Sequence, residues 1–240
     1  MNTPLIRERM TDAGRPPPPA PEAANTDVRP RKAVPAPCLV PAHSLYHERS
    51  EQIRMLRTEL LLRHDGAGAN LFAVVSANPG EGRSQLAAEL AISCSQLGQP
   101  TLLVDADLRR PRQHALFDAD NRRGLACLLA LGMKPHLQAV QGLPSLALLT
   151  AGPLPPNPLE LLSDSRFEDA VSGWREQFAF VVIDTAPISR YADALAVATI
   201  AGRVLSISRA QQTSYRAVRD MQRRLAATRA RTLGAVINHF

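Results

Sequence analysis

The chain has 240 residues, with 28 lysines and arginines against 22 acidic residues and a formal net charge of +6. Its three cysteines are scattered without a CxxC pair, which argues against a zinc site or a disulfide framework. The N-terminus lacks the apolar segment of a signal peptide, and no run reaches the ~18 apolar residues of a membrane span. We therefore expect a cytoplasmic protein whose membrane role, if any, comes through a partner or a charged surface.

The N-terminal segment, residues 1–43, contains ten of the twenty prolines and few large apolar residues. Such a segment buries too little apolar surface to offset the entropy of ordering it. We predict a disordered arm that acts as a tether, with docking to a proline-binding module as the alternative. The folded domain is then expected over residues 44–240, which is enough chain for one α/β domain.

A helix is predicted over residues 44–63, at the start of that domain. Ser44 is a suitable N-cap, and Ile53, Leu56 and Leu60 fall on one face at helical spacing. The pattern indicates a helix that packs one apolar stripe against the rest of the domain.

Beyond residue 70, apolar runs typical of parallel strands alternate with helical patterns. The predicted strands are LFAVV (71–75), TLLVD (101–105), LALL (146–149), FVVID (180–184), RVLSIS (203–208) and LGAVI (233–237). The predicted helices run from Ser84 to Leu97, from a cap at Asn157, and over about 213–229. This alternation predicts an α/β fold, with an open, doubly wound, mostly parallel sheet and helices on both faces.

The first chemical motif is SANPGEGRS, residues 76–84, which follows a predicted strand and opens a predicted helix. Glycines permit tight turns there, so that backbone N–H groups and the helix dipole cradle phosphate oxygens. Ser84 is placed to coordinate Mg²⁺, and the expected ligand is ATP. The alternative is an ordinary strand-to-helix turn. The residues expected to bind phosphate are Pro79, Gly80, Glu81, Gly82, Arg83, Ser84 and Gln85.

Two positions depart from the usual phosphate-loop pattern GxxxxGK[ST]. Ala77 replaces the first glycine, and Arg83 replaces the lysine. Arginine keeps the positive charge, but its planar fork is bulkier than an ammonium group, so the exchange is not conservative. We expect Arg83 to hold phosphate and to take part in catalysis less effectively than lysine.

The second motif, LLVDADLRRP, ends a predicted strand with Asp105 and Asp107. Two carboxylates beside a phosphate loop suit a metal shell or a base for a hydroxyl nucleophile. Arg109 is expected to contact phosphate or to pair with one of these carboxylates. The alternative is a strand end with solvated charges.

The third motif, FVVIDTAP, is an apolar strand that ends in Asp184. A carboxylate in this position holds the magnesium shell in many nucleotide-binding domains. Because the carboxyl ends of parallel strands meet at one edge of the sheet, we expect Asp105, Asp107 and Asp184 to converge there with Ser84 as metal ligands and catalytic groups.

With these motifs in view, residues 46–240 resemble the cytoplasmic kinase domain of bacterial tyrosine kinases, the capsule and exopolysaccharide co-polymerase family. SANPGEGRS is similar to the family's Walker A motif, residues 104–111 to its Walker A′ motif, and residues 181–187 to its Walker B motif. Residues 151–162 resemble a family loop, and residues 234–238 its last strand. The family's ExxRxxR motif is matched by Glu51, Arg54 and Arg57.

The resemblance implies a P-loop domain related to the MinD/ParA ATPases, which binds ATP and Mg²⁺ and transfers the γ-phosphoryl group to tyrosine. Asn238 would face the adenine, and Glu51, Arg54 and Arg57 would join subunits in a homo-oligomeric ring. The implied partner is a membrane-spanning polysaccharide chain-length regulator, supplied by a separate chain and recruiting this one to the inner face of the plasma membrane. Nucleic acid is not an expected partner.

Three functions compete at this point. The first is an ATP-dependent tyrosine kinase acting on another protein, because the only tyrosines are Tyr46, Tyr191 and Tyr215 and the family's tyrosine-rich tail is missing. The second is a nucleotide-gated scaffold of the polysaccharide machinery with little or no catalysis. The third is a partitioning-type ATPase, which ranks last because those proteins carry an additional lysine early in the loop.

Overall fold

The computed structural model describes residues 32–63 and 70–239. Its strands are β1 (Asn70–Ser76), β2 (Thr101–Asp105), β3 (Gln138–Val140), β4 (Leu143–Leu149), β5 (Phe180–Asp184), β6 (Arg203–Arg209) and β7 (Arg231–Asn238). Its helices are α1 (Val40–His43), α2 (Glu48–Leu62), α3 (Arg83–Ser95), α4 (Gln113–Leu116), α5 (Leu125–Leu131), α6 (Pro158–Leu162), α7 (Ser165–Gln177), α8 (Asp193–Ala201) and α9 (Tyr215–Ala226).

The strands form one sheet in the order β3-β4-β2-β5-β1-β6-β7. Every neighbouring pair is parallel except β3 with β4, which is an antiparallel edge. The prediction of an α/β fold with a mostly parallel sheet is therefore confirmed. β1 lies between β5 and β6, so the strand that leads into the glycine-rich loop is near the middle of the sheet.

The core has two halves, one on each face of the sheet. Alternate side chains of β1 divide between them: Leu71 and Val75 pack on the side of α7 and α8, and Phe72 and Val74 on the side of α2 and α3. Both halves are built mainly from aliphatic residues, as the low aromatic content requires. Burial on both faces explains why the central strands β1, β2 and β5 are continuous apolar runs and not alternating patterns.

The start of the domain differs from the prediction. Residues 32–43 pack onto the sheet: Ala33 forms a parallel bridge with Val140, and the side chain of Leu39 is completely buried. The proline content of this stretch concealed a few apolar residues that are enough to anchor it. Residues 1–31, on which most of the predicted arm falls, lie outside the described residues.

The first long helix, α2, begins at Glu48 and not at Ser44. Its N-cap is His47, whose side chain accepts a hydrogen bond from the backbone N–H of Arg49 at 3.0 Å. Ile53 is buried as predicted. The prediction that Ser44 caps this helix is wrong, because the ring nitrogen of His47 accepts the capping hydrogen bond instead of the serine hydroxyl.

The six predicted strands and the other predicted helices are present, each to within a few residues of its predicted ends. The short edge strand β3 and the helices α4, α5, α7 and α8 received no individual prediction, and α1 falls in the segment that was predicted to be disordered. The helix predicted from Asn157 begins at Pro158, although the Asn157 side chain makes no capping hydrogen bond. In the described part of the chain, no helix has the length and apolar character needed to cross a membrane.

Candidate functional site

Three adjacent strands, β2, β5 and β1, bring the predicted motifs together at their carboxyl ends. Asp105 and Asp184 are register partners at the ends of β2 and β5, and Ser76 ends β1 beside them. The glycine-rich loop follows Ser76 and leads directly into α3. The convergence expected from the sequence is therefore seen, and it follows from the parallel strand order.

The loop borders a cavity of about 430 Å³. All seven residues predicted to bind phosphate, from Pro79 to Gln85, line this cavity. Gly80 and Gly82 have φ angles of +81° and +90°, which side-chain-bearing residues rarely adopt. The glycines therefore allow the chain to wrap the start of α3, which is 13 residues long and directs its positive dipole end toward the cavity.

Asn238, the last residue of β7, supports the glycine-rich loop through a hydrogen bond. Its Nδ2 donates to the Glu81 carbonyl oxygen at 3.2 Å, and a Cβ placed on Gly82 would come within 2.4 Å of the same nitrogen. The Glu81 side chain is buried and accepts a hydrogen bond from Thr213 Oγ1 at 2.6 Å, which ties the loop to the segment between β6 and α9. The positive φ therefore favours glycine at position 82, and a larger residue there would also have to displace the Asn238 side chain.

Arg83 lies inside the site, with its fork directed at the strand ends. Its Nε donates to Asp184 Oδ1 at 3.1 Å, one terminal nitrogen donates to Asp107 Oδ2 at 2.9 Å, and the other donates to Ser76 Oγ at 2.8 Å. Arg83 is 8% exposed, and both carboxylates are buried. The guanidinium group therefore joins the three motifs in one hydrogen-bonded network.

Burial makes this network consequential for stability. Taking charged groups out of water costs several kcal/mol each, which is offset only if the geometry is good and every group is paired. Removing one member of such a network leaves an uncompensated buried charge and costs about 3–5 kcal/mol. Arg83 is thus part of the structure of the strand ends, a role that the phosphate-loop pattern alone does not predict.

Gln113 is a further member of the network, and no sequence pattern indicated it. Its Nε2 donates to Asp184 Oδ2 and to the Ser84 carbonyl oxygen, each at 2.9 Å. Both oxygens of Asp184 therefore accept hydrogen bonds from side chains. Gln113 opens the four-residue helix α4, a site that has no recognisable spacing to the predicted motifs.

The two carboxylates of the second motif have different environments. Asp105 is fully buried and accepts backbone hydrogen bonds from Asp107, Arg112 and Gln113, so it holds the turn that precedes α4. Burial, with repulsion from Asp184, raises the pKa of Asp105 well above its usual range. Asp107 lines the cavity, and its pKa is raised by burial against the opposing effect of Arg83. Of the two carboxylates, Asp107 is thus the one that faces the cavity.

Arg109 lies next to the site but is engaged elsewhere. It forms a two-point ion pair with the buried Asp193, at 2.7 and 3.1 Å, and its guanidinium carbon lies 4.4 Å from the centre of the Tyr191 ring. The hydrogen bonds to Asp193 raise the pKa of Arg109. Of the two alternatives for Arg109, pairing with a carboxylate is the arrangement observed, although the carboxylate is Asp193 and not Asp105 or Asp107.

Three other arginines line the cavity without having been predicted as site residues. Arg110 and Arg112 follow the second motif, and Arg190 follows the third. All three are exposed side chains at the rim. Their positions just after strand ends were the available signal, but exposed arginines are so common in this chain that the sequence did not distinguish them.

The predicted oligomerisation residues do not share one surface. Arg54 pairs with Glu51 within the exposed part of α2 and also donates to the Leu45 carbonyl oxygen. Arg57 turns toward α3 and donates to the Ser93 carbonyl oxygen at 2.7 Å. Arg57 therefore attaches α2 to α3 in this subunit, and only Glu51 and Arg54 present their charges outward.

The residues present fit a nucleotide. The cavity, the positive-φ glycines and the α3 N-terminus form a phosphate cradle. In addition, Asn238 Oδ1 and Glu81 Oε2 are buried beside the loop without a hydrogen-bond partner among the described residues. Buried acceptors normally have a partner, so these two oxygens are available to a donor from a ligand or a solvent molecule.

The same residues do not accommodate Mg²⁺ as they are arranged here. Each of the six oxygens of Asp105, Asp107 and Asp184 already accepts a hydrogen bond, and Arg83 lies between the last two. Within residues 32–63 and 70–239, no group of three or more His, Cys, Asp or Glu side chains is placed to hold a metal ion. The predicted magnesium shell therefore stays a prediction.

The chain is similar to curated proteins over most of its length. It is 38% identical to the tyrosine-protein kinase YwqD of Bacillus subtilis over 192 residues, 79% of this chain and 80% of that protein. It is 31% identical to the putative tyrosine-protein kinase CapB of Staphylococcus aureus over 191 residues, 79% of this chain and 83% of that protein. No family model matches the chain.

Solved structures give the same result. The crystal structure of the chimerical protein CapA2B2 superposes with a TM-score of 0.80 at 30% identity, covering 88% of this chain and 94% of that one. The MinD protein of Pyrococcus horikoshii, complexed with Mg-ADP, superposes with a TM-score of 0.62 at 16% identity over 72% of this chain and 71% of that one. The second likeness concerns the fold alone. Together the comparisons confirm the resemblance inferred from the motifs.

Proposed function

The chain belongs to the family of bacterial tyrosine-protein kinases, and we propose that it binds ATP in the cavity and transfers its γ-phosphoryl group to a tyrosine of another protein. The observation that carries this proposal is the cradle of residues 79–85 at the start of α3, beside the ends of β2 and β5. Phosphoryl transfer depends mainly on positioning the reactants and on stabilising the charge of the transferred group. This edge of the sheet has the backbone N–H groups, the helix N-terminus and the charged side chains that such a reaction uses.

In the proposed reaction, the acceptor hydroxyl oxygen bonds to the γ-phosphorus and the bond from that phosphorus to the β–γ bridging oxygen breaks. ADP leaves, and the hydroxyl proton passes to a carboxylate. Asp107 suits this last role better than Asp105, because Asp107 lines the cavity whereas Asp105 is fully buried beneath it. The raised pKa of Asp107 strengthens it as a base.

We further propose that the protein works with a membrane-spanning regulator of polysaccharide chain length, which recruits it to the inner face of the plasma membrane. Family membership supports this proposal, and the net charge of +6 suits an anionic surface or an acidic partner. The relevant measurement is the length distribution of surface polysaccharide in a strain that lacks this chain. An altered distribution is expected, and an unchanged one would contradict the proposal.

A second candidate function is a nucleotide-gated scaffold that transfers little or no phosphate. One observation favours it: the guanidinium group of Arg83 is committed to Asp107 and Asp184 and not directed at a phosphate. A cation held in this way stabilises a transferring phosphoryl group less than a free one does. Nucleotide occupancy would then act by ordering the loop and its contact with Asn238.

A transfer assay separates the two candidates. The full chain is incubated with radiolabelled ATP and a random glutamate–tyrosine copolymer as acceptor. If the protein is a kinase, Arg83→Lys should keep or raise the rate, because lysine restores the compact ammonium of the usual loop, whereas Arg83→Ala should lower it about 100-fold or more.

The matched control is Arg122→Ala, because the Arg122 side chain is 84% exposed and pairs with the nearby Asp120, outside the cavity. The control should transfer like the wild type. Undetectable transfer by all four proteins would establish the scaffold over the kinase. Equal and robust transfer by all four would show that Arg83 has no catalytic role.

Assembly is the remaining proposal, and Arg54 is the residue that tests it. We propose a homo-oligomeric ring in which Glu51 and Arg54 exchange their internal ion pair for contacts with a neighbouring subunit.

Because such contacts are ionic and exposed, oligomers measured by light scattering should dissociate as salt increases. Arg54→Ala should remain monomeric at low salt, whereas the control Arg122→Ala should assemble. A wild type that is monomeric at every salt and nucleotide concentration would contradict the ring. Arg57→Ala is a poorer probe, because it also breaks the α2–α3 contact.

A further inference from the structure

The position of Arg83 bears on which form of nucleotide the cavity accepts. Two of its nitrogens contact Asp107 Oδ2 and Asp184 Oδ1, the two oxygens that would have to face a metal ion between these strands. The opposite oxygens are also engaged: Asp184 Oδ2 by Gln113 and Asp107 Oδ1 by the backbone N–H of Arg110. The carboxylate pair is thus saturated by protein donors.

A divalent cation and this guanidinium group exclude one another. Mg²⁺ requires oxygen ligands at about 2.0–2.1 Å in near-octahedral geometry, and it keeps several waters. Arg83 fills the space between the carboxylates and is itself buried, at 8% exposure. Bringing the ion in would place two cations side by side in a buried site and would break three hydrogen bonds of the fork.

The cavity supplies other positive charge for phosphates. Arg110, Arg112 and Arg190 line it, together with the backbone of the loop and the N-terminus of α3. Guanidinium groups match phosphate oxygens with paired donors and are not titrated in the physiological range. The charge of a bound polyphosphate chain is therefore neutralised by protein cations, which take the role that a metal ion would otherwise have.

We propose that this chain binds a nucleoside polyphosphate as the metal-free anion. Arg83 remains on Asp107 and Asp184 as a resident cation, and Arg110, Arg112 and Arg190 neutralise the phosphates. The inference rests on the nucleotide-binding part of the proposed function. On this inference, the arginine that replaces the loop lysine removes the magnesium requirement for nucleotide binding.

The test is equilibrium binding of a fluorescent ADP analogue to the full chain, followed by anisotropy, in excess EDTA and in excess MgCl₂. The dissociation constant of the wild type should differ by less than about twofold between the two conditions. Arg83→Lys should bind about tenfold more tightly with magnesium than without it, because a compact ammonium group fills less of the space between the carboxylates than the planar fork does and leaves oxygens free for the ion.

Two further variants address the rim arginines and the effect of substitution itself. Arg112→Ala should weaken binding about tenfold in EDTA, because a phosphate contact is lost. The charge-conserving control Arg122→Lys and the truncation Arg122→Ala lie in an exposed pair outside the cavity and should bind like the wild type. Circular dichroism on each variant separates weakened binding from failure to fold.

The wild-type comparison alone decides the inference, so it does not depend on any variant folding. Binding that is about tenfold or more tighter with magnesium than in EDTA would overturn the metal-free site while leaving the proposed nucleotide-binding function intact. No binding under either condition would overturn both. Equal binding under the two conditions supports the inference. A gain of magnesium dependence in Arg83→Lys would show that Arg83 is the cause of the metal-free binding.

Discussion

One buried guanidinium group organises the carboxyl edge of the sheet. Asp105 and Asp184 are forced next to each other by the parallel pairing of β2 and β5, and Asp107 follows at the turn. Carboxylates brought this close in a buried place repel one another and require compensation. Arg83 provides it from the first turn of α3, so the loop, the helix and three strand ends are held in one arrangement by charge.

This constraint explains why neighbouring residues behave as they do. Asp105, which does not contact Arg83, has a pKa well above its usual range and is held by backbone N–H groups instead. Gln113 takes the second oxygen of Asp184 and fastens the start of α4 to the phosphate loop through the Ser84 carbonyl oxygen. The cavity is therefore shaped by an internal network of protein groups in which, among the described residues, one side-chain oxygen each of Glu81, Gln113 and Asn238 lacks a hydrogen-bond partner.

Much of this architecture was predictable from the sequence, because apolar strands that end in Asp or lead into a glycine-rich loop leave a strong local signal. The mostly parallel sheet, the loop and the convergence of Asp105, Asp107 and Asp184 were predicted from it, whereas the order of the strands was not. Contacts between distant residues were not predictable: Arg109 with Asp193 and Arg57 with Ser93 depend on how helices dock, which periodicity does not encode. The anchored segment of residues 32–43 was missed because composition averages over a stretch, whereas burial depends on single side chains such as Leu39.

The central claim is that Arg83 and Asp184 are strongly coupled. A double-mutant cycle measures this coupling from the unfolding free energies of the wild type, Arg83→Met, Asp184→Asn and the combined variant in denaturant. Because either single substitution leaves a buried group of the network unpaired, the double variant should be far less destabilised than the sum of the singles, with a coupling energy of about 2–3 kcal/mol. Effects that add to within about 0.5 kcal/mol would show that the two side chains act independently, and would contradict the account.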